Sequence, residues 1–342
     1  KEALSRTSRT SFFNCLKNSA KQCYIKDGDK DYLLAGYPWF KIIARDLFVA
    51  LPGTTLAINH RYDFESIMNT AVEALLHYIK TGETDTTIKD IDLPDIPLWA
   101  TWSILQYSKF VGRIDTIERY GKVLEEIVDF ILSGKQKKLY IDNSGLISSD
   151  GSKESVTWMD ATLPNGMPMH PRSGYIVEFN ALWYNALMFA ITLFEDEEKK
   201  PENYDKWKTT AESLKHAFIE TFLNDFGYLY DYVDGNYMDL SVRPNMIIAA
   251  GCDFSPLDRS QRKRILDFVT RELLTPNGLR TLSPKSYGYN PFFVGNHEQR
   301  QNAYFNGPTR PWLTGFYTDA YLKVFGHSGV AFLRRMLIGY ED

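Results

Sequence analysis

Cysteine is scarce in this 342-residue chain: only Cys15, Cys23 and Cys252, an odd number without metal-ligand spacing. That argues against a disulfide framework and against a zinc site, and leaves reduced structural thiols, which point to a cytoplasmic location. An excess of either charge is also missing. The 39 basic and 43 acidic residues are mixed along the chain and sum to a net charge of −4. No basic face is offered to nucleic acid, and no block of like charge forms an interaction tail. There is no signal peptide and no uninterrupted apolar run of about 18 residues to cross a membrane. The first residue is Lys1 rather than Met, as in a segment of a longer gene product.

What is present is a hydrophobic content of 44%, enough for a sizeable core. Aromatic residues reach 14%. Their flat faces would stack on sugar rings, although large buried core residues account for the same excess. Helical periodicity dominates. It predicts helices over residues 10–25, 40–51, 62–79, 98–107, 114–132, 177–194, 204–222, 242–250, 257–273, 311–325 and 330–340. Pro201 is expected at one helix start, and Ser255 is expected to cap another ahead of Pro256. No linker is visible, so residues 1–342 read as one all-α domain of antiparallel helical hairpins closed into a ring. Six hairpins need twelve helices, so the eleven counted leave the ring lacking its last helix. Two segments break the pattern, residues 139–176 and 275–301, and ordered loops this long are usually functional. Within the first, KLYID and GLISS are candidate strands of a small hairpin.

The first loop runs into a helix as TWMDATLPNGMPMHPRSGYIVEFNALWYNAL. Trp158 and Met159 flank Asp160 with bulky apolar groups, and such desolvation raises a carboxyl pKa so that it holds a proton near neutrality. Arg172, Glu178, Asn180, Trp183, Tyr184 and Asn185 add polar groups and aromatic faces around the helix start. Taken singly, Asp160 could be a cap, Trp183 a core residue and Arg172–Glu178 a salt bridge.

These residues are also where the chain resembles a family. WMDA followed by HPRSGYIVEFNALWYNAL is similar to the amylo-α-1,6-glucosidase part of bacterial-type glycogen debranching enzymes. The resemblance continues through AGYPWFKIIARDLFVALPG at residues 35–53, DLPDIPLWATWSILQY, SVRPNMIIAA, GLRTLSP and NAYFNGPTRPWLTGFYTDAYLKVFG. It implies a glucoamylase-like (α/α)6 toroid that hydrolyses α-1,6-linked glucose at glycogen or α-glucan branch points, with inversion and without metal or cofactor. It also implies that Asp160 is the general acid. Trp39, Phe40, Arg45, Asp46, Asp95, Trp99, Arg172, Glu178, Arg243, Asn245 and Arg280 fall on family positions that bind substrate, with Trp158 and Trp183 beside them. An ion pair tying helix ends together is the structural alternative for Arg45–Asp46 and for Arg243. Because the family commonly carries an N-terminal domain, one in a full-length protein would fit the resemblance.

Inversion needs a second carboxylate to activate water, about 6.5–9.5 Å from the acid. Here the chain departs from the family: Gly307-Pro308-Thr309 stands where eukaryotic members have a glutamate after glycine-proline. Gln301, Phe305 and Asn306 replace the usual aspartate, histidine and glutamine. Glu298 and Glu178 remain as candidate bases. A catalytically impaired carbohydrate-binding toroid is therefore the alternative. A sugar epimerase would want paired histidines, and of the six histidines only His170 and His297 lie in the long loops.

Overall fold

Where apolar positions recur every three to four residues, the backbone closes into helices that bury that stripe. The computed structural model describes Ser8 and residues 10–340. These fall into two compact units. One takes in the chain up to Gln136 together with Thr192–Pro201; the other takes in Lys137–Ile191 and the chain from Glu202 onward.

The first unit opens with α1 (Phe12–Gln22), whose N-cap Ser11 accepts from the Asn14 amide at 3.2 Å. The predicted continuation to Ile25 fails because Tyr24 and Ile25 enter a hairpin, β1 (Tyr24–Asp27) against β2 (Lys30–Leu33). Next come α2 (Ala44–Thr54), α3 (Arg61–Thr81), α4 (Ile96–Val111) and α5 (Arg113–Leu132). The predicted start of α2 at Phe40 is four residues early, since residues 36–41 form a loop containing a cis Tyr37–Pro38 bond. α2 packs along α4. α4 reverses into α5 across the single residue Gly112, whose φ of 92° is costly for any side chain but glycine's.

In the second unit the expected hairpin forms, with β3 (Tyr140–Ile141) antiparallel to β4 (Ile147–Ser149). It is extended by β5 (Gly174–Ile176), which leads directly into α6 (Val177–Phe194). After α7 (Tyr204–Phe222), β6 (Tyr232–Asp234) and β7 (Tyr237–Met238) complete a five-stranded sheet of order β3-β4-β5-β6-β7. Gly174 is required where β5 meets β6: its φ is 77°, and a Cβ would run into the Val233 carbonyl. α6 has a mean hydropathy of 1.2 over 18 residues, long and apolar enough for a membrane span, but 89% of it is buried inside the protein.

The chain then forms α8 (Met246–Gly251), α9 (Arg259–Glu272), β8 (Leu274–Thr275), β9 (Gly278–Arg280), α10 (His297–Tyr304), β10 (Thr309–Arg310), α11 (Thr314–Phe325) and α12 (Val330–Ile338). Several boundaries and caps differ from expectation. α8 begins at Met246 rather than Val242, because Pro244 lacks an amide donor and disfavours helix before it. The cap of α9 is Asp258, not Ser255, in a reciprocal capping box with Gln261. α7 starts at Tyr204, after an Asn203 N-cap, so Pro201 precedes the helix. The helix absent from the sequence reading is α10, inside the second long loop rather than at the C-terminus. Only Ala303 of its eight residues is buried, so it carries no apolar stripe to read.

Candidate active site

The loop before β5 is pinned by alternate side chains. Met159 and Ala161, 2% and 4% exposed, sink into a cluster with Phe305, against which Trp158, Met169 and Tyr304 pack. Asp160, between them, is consequently turned to solvent. Asp160 was expected to be enclosed by its bulky neighbours; instead they anchor the loop on either side of it, and Asp160 itself is exposed. Beyond it the chain folds back, with the Met169 amide donating to the Ala161 carbonyl at 2.8 Å and the Leu163 amide to the Met167 carbonyl at 2.8 Å. Met169 thereby lines a cleft of about 240 Å³ with Asn290, Glu298, Gln299 and Asn302. Glu298 stands exposed in the first turn of α10.

Beneath this surface lies a buried charge network. Arg172, 3% exposed, donates Nε to Asp231 Oδ2 at 2.7 Å and Nη2 to Glu178 Oε2 at 2.8 Å, while its Nη1 donates to Glu178 Oε1. Asn245 donates Nδ2 to Asp231 Oδ1 at 2.7 Å and accepts at Oδ1 from Trp158 Nε1 at 2.8 Å. Arg243 approaches Asp231 Oδ2 at 4.0 Å and donates Nη1 to the Phe305 carbonyl at 2.6 Å and Nη2 to Asn306 Oδ1 at 3.2 Å. Burial pulls the Arg172 pKa down, but the Asp231 and Glu178 carboxylates more than offset it and hold it above the ordinary value. Burial pushes Glu178 up against the opposing pull of Arg172. It lowers Arg243, with Asp231 acting the other way.

Several sequence-predicted site residues therefore lie in the framework. Both oxygens of Glu178 are held by Arg172, and at 1% exposure it offers no free edge to a water or a sugar hydroxyl. Trp183 is fully buried, its Nε1 donating to the Gly145 carbonyl at 3.2 Å, and is a core residue. Asn180 joins β4 to α6 by accepting from the Ile147 amide at 2.8 Å and donating to its carbonyl at 2.9 Å. Arg280 is half-buried on β9, opposite Thr309 of β10. Asp231 was not foreseen. Its only sequence signal was a charge imbalance, two arginines destined for burial against the single carboxylate of Glu178.

The other predicted residues belong to the first unit. Arg45 and Asp95, 8% and 1% exposed, pair through Nε–Oδ2 at 2.6 Å and Nη2–Oδ1 at 3.0 Å, joining the starts of α2 and α4. Trp99 Nε1 donates to the same Asp95 Oδ2 at 3.1 Å. For Arg45 this is an ion pair that ties helix ends together, the structural alternative to a binding role; Asp46 is exposed. Trp39 and Phe40 are 86% and 61% exposed. Among the described residues no group of three or more His, Cys, Asp or Glu side chains is placed to hold a metal ion.

The departures at Phe305, Asn306 and Thr309 are built into the packing. Phe305 meets Trp158 edge-on at 5.3 Å, and Trp158 meets Trp312 at 5.2 Å. The Gly307 amide donates to Thr281 Oγ1 at 2.8 Å, leaving no room for a side chain beside the Asn290 carbonyl.

Comparison with known proteins places these features in a family. Residues 17–337 match the family model described as Amylo-alpha-1,6-glucosidase. A glycogen debranching enzyme of Saccharomyces cerevisiae is 27% identical over 59% of this chain, and the match spans 17% of that protein's length. A GH63 mannosylglycerate hydrolase from Thermus thermophilus superposes with a TM-score of 0.65 at 11% identity, covering 94% of this chain and 90% of that one. The neutral trehalase of Saccharomyces cerevisiae gives 0.58 at 10% identity, covering 90% and 76%. The fold shared with these structures is the (α/α)6 toroid. The chain belongs to the amylo-alpha-1,6-glucosidase family of glycoside hydrolases.

Proposed function

We propose that this chain hydrolyses α-1,6-linked glucose at α-glucan branch points with inversion, Asp160 acting as general acid and Glu298 as base. The observation that carries the reading is the placement of an exposed Asp160 between two buried anchors, on a loop whose Met169 shares a cleft with Glu298. Asp160 would protonate the glycosidic oxygen as the bond to the anomeric carbon breaks. Glu298 would take a proton from the water that attacks the opposite face. The proton of Asp160 leaves on the released hydroxyl, and the site resets when Glu298 gives its proton to solvent and Asp160 takes one from it. An exposed carboxyl is desolvated by the arriving sugar rather than by the empty protein, which raises its proton affinity when the substrate is in place. Trp158, oriented by Asn245, supplies an aromatic wall beside the acid. Glu298 is preferred to Glu178 because Glu178 is fully engaged by Arg172. The three free cysteines support a cytoplasmic site of action.

The test is glucose release from a branched limit dextrin, with the anomer followed by NMR. Wild type should release β-glucose, and Asp160→Asn should lower kcat about 10²–10⁴-fold, the usual worth of a general acid. Equal inertness of both proteins with retained glucan binding would replace this reading by the carbohydrate-binding one.

A further inference from the structure

The roles given to Asp160 and Glu298 require the two carboxylates to keep a fixed separation, yet they stand on segments of unequal support. Asp160 belongs to a loop seated by Met159 and Ala161. Glu298 belongs to α10, of which only Ala303 is buried. A helix of eight residues is marginal by itself, and this one has no apolar stripe to seat it. The side-chain hydrogen bonds of its first turns, Asn296 with Gln299 and Arg300 with the Gly295 carbonyl, stay within the segment.

His170 supplies a bond that leaves the segment. Its ring is hydrogen-bonded to the Asn302 backbone. Nε2 is buried and has no hydrogen-bond partner among the described residues, so Nδ1 makes that bond and donates to the carbonyl. Asn302 lies four residues beyond Glu298 on the same face of α10, and both line the cleft with Met169, the neighbour of His170. On the other side, the Met169 amide donates to the Ala161 carbonyl at 2.8 Å and Thr162 bridges to Pro168, so residues 161–169 close as a narrow hairpin. From Asp160 to Glu298 the connection thus crosses two hydrogen bonds, one from Met169 and one from His170. The base of this bridge is stiff. Pro171 biases His170 to extended backbone, and Arg172 is locked by Glu178 and Asp231. The residue type is informative too. A buried ring nitrogen without a partner carries a desolvation cost, which a phenyl ring in the same place against Phe305 would avoid. What histidine offers over that phenyl ring is the Nδ1 donor.

We infer that His170 is a positioning residue: it ties α10 to the loop of Asp160 and so sets the separation of the two carboxylates. The inference rests on the glucosidase reading for its consequence in catalysis, and on geometry alone for the tether.

The test separates the donor from the ring. His170→Phe keeps a ring against Phe305 and removes the donor, whereas His170→Asn removes the ring and keeps an amide nitrogen where Nδ1 stands. His170→Leu takes the place of His170→Phe if the latter does not fold, as judged by melting temperature at pH 7. The measurements are kcat and KM for glucose release from branched limit dextrin, and hydrogen exchange of the α10 amides by mass spectrometry. His170→Phe should lower kcat about 10- to 100-fold with KM unchanged, as a displacement of about 1 Å does. It should also speed α10 exchange about three- to tenfold, the worth of one hydrogen bond. His170→Asn should recover both. Unchanged kcat in His170→Phe overturns the proposal, as do equal losses in His170→Phe and His170→Asn, which would assign the effect to the ring. Equal α10 exchange in wild type and variants overturns the tether whatever the kinetics. If wild type releases no glucose while exchange accelerates in His170→Phe and not in His170→Asn, the glucosidase reading fails and the tether stands.

Discussion

His170 should make this protein acid-sensitive in a defined pH window. Its ring closes the loop that carries Asp160, edge-on to Phe305 at 6.1 Å, and its buried Nε2 has no hydrogen-bond partner among the described residues. Burial, assisted by the positive charge of Arg243 and opposed by a hydrogen bond to the Asn302 backbone, lowers its pKa from 6.5 to about 4. A group whose folded pKa lies below its unfolded one binds its proton more readily in the unfolded chain. Stability is therefore highest above pH 6.5, falls as the pH drops through the interval down to about 4, and loses nothing further to this group below it. At 1.36 kcal/mol per pH unit, the loss reaches about 2 kcal/mol at pH 5 and about 3 kcal/mol at pH 4. His170→Phe keeps a ring against Phe305 and removes the proton. At pH 7 the variant should lie within about 1 kcal/mol of wild type, since one backbone hydrogen bond is lost while an unsatisfied nitrogen disappears. Urea unfolding at pH 7 and pH 5 measures the difference directly. Between those two conditions the variant should gain about 2 kcal/mol relative to wild type. Parallel pH dependences would show that His170 is not buried neutral and would refute the reasoning.

Two further predictions concern the buried ion pairs. Asp231→Asn removes the carboxylate shared by Arg172 and Asn245 and should destabilise the protein by about 3–5 kcal/mol, as unpaired buried charges do. If Asp231 positions Trp158 through Asn245, folded Asp231→Asn protein should also show altered tryptophan fluorescence; a spectrum identical to wild type counts against that chain of contacts. Asp95→Ala removes the carboxylate that Arg45 and the Trp99 indole share, and a loss of the same order is expected in thermal denaturation, whereas Asp46→Ala, at an exposed position, should cost less than about 0.5 kcal/mol.

Much of the helical framework was legible because burying one stripe of a helix imposes a period on the residues. α6 and α7 have the ends predicted from the pattern, and the KLYID–GLISS hairpin is present as β3 and β4. α10 escaped because HEQRQNAY has no apolar stripe, although the Asn296–Gln299 capping box preceding it was a readable start signal. The site divides along the same line. The WMDA segment identified Asp160, but residue type could not reveal which charged groups would face solvent. Arg172, Glu178 and Arg243 read as binding residues, yet they are only 3%, 1% and 9% exposed.

The sequence by itself determined the helical periodicity and the family, and it singled out the carboxylate proposed as acid; all of these depend on local order and on spacing along the chain. Only the tertiary structure decided that Asp160 points outward while Met159 and Ala161 point inward, and that Glu178 is closed off by Arg172. It also decided that Asp231, 59 residues from Arg172 in the chain, completes their charge balance. Those outcomes depend on which groups lose water on folding. A buried charge takes its partner from whatever the fold brings within hydrogen-bonding distance, and sequence spacing does not encode that choice.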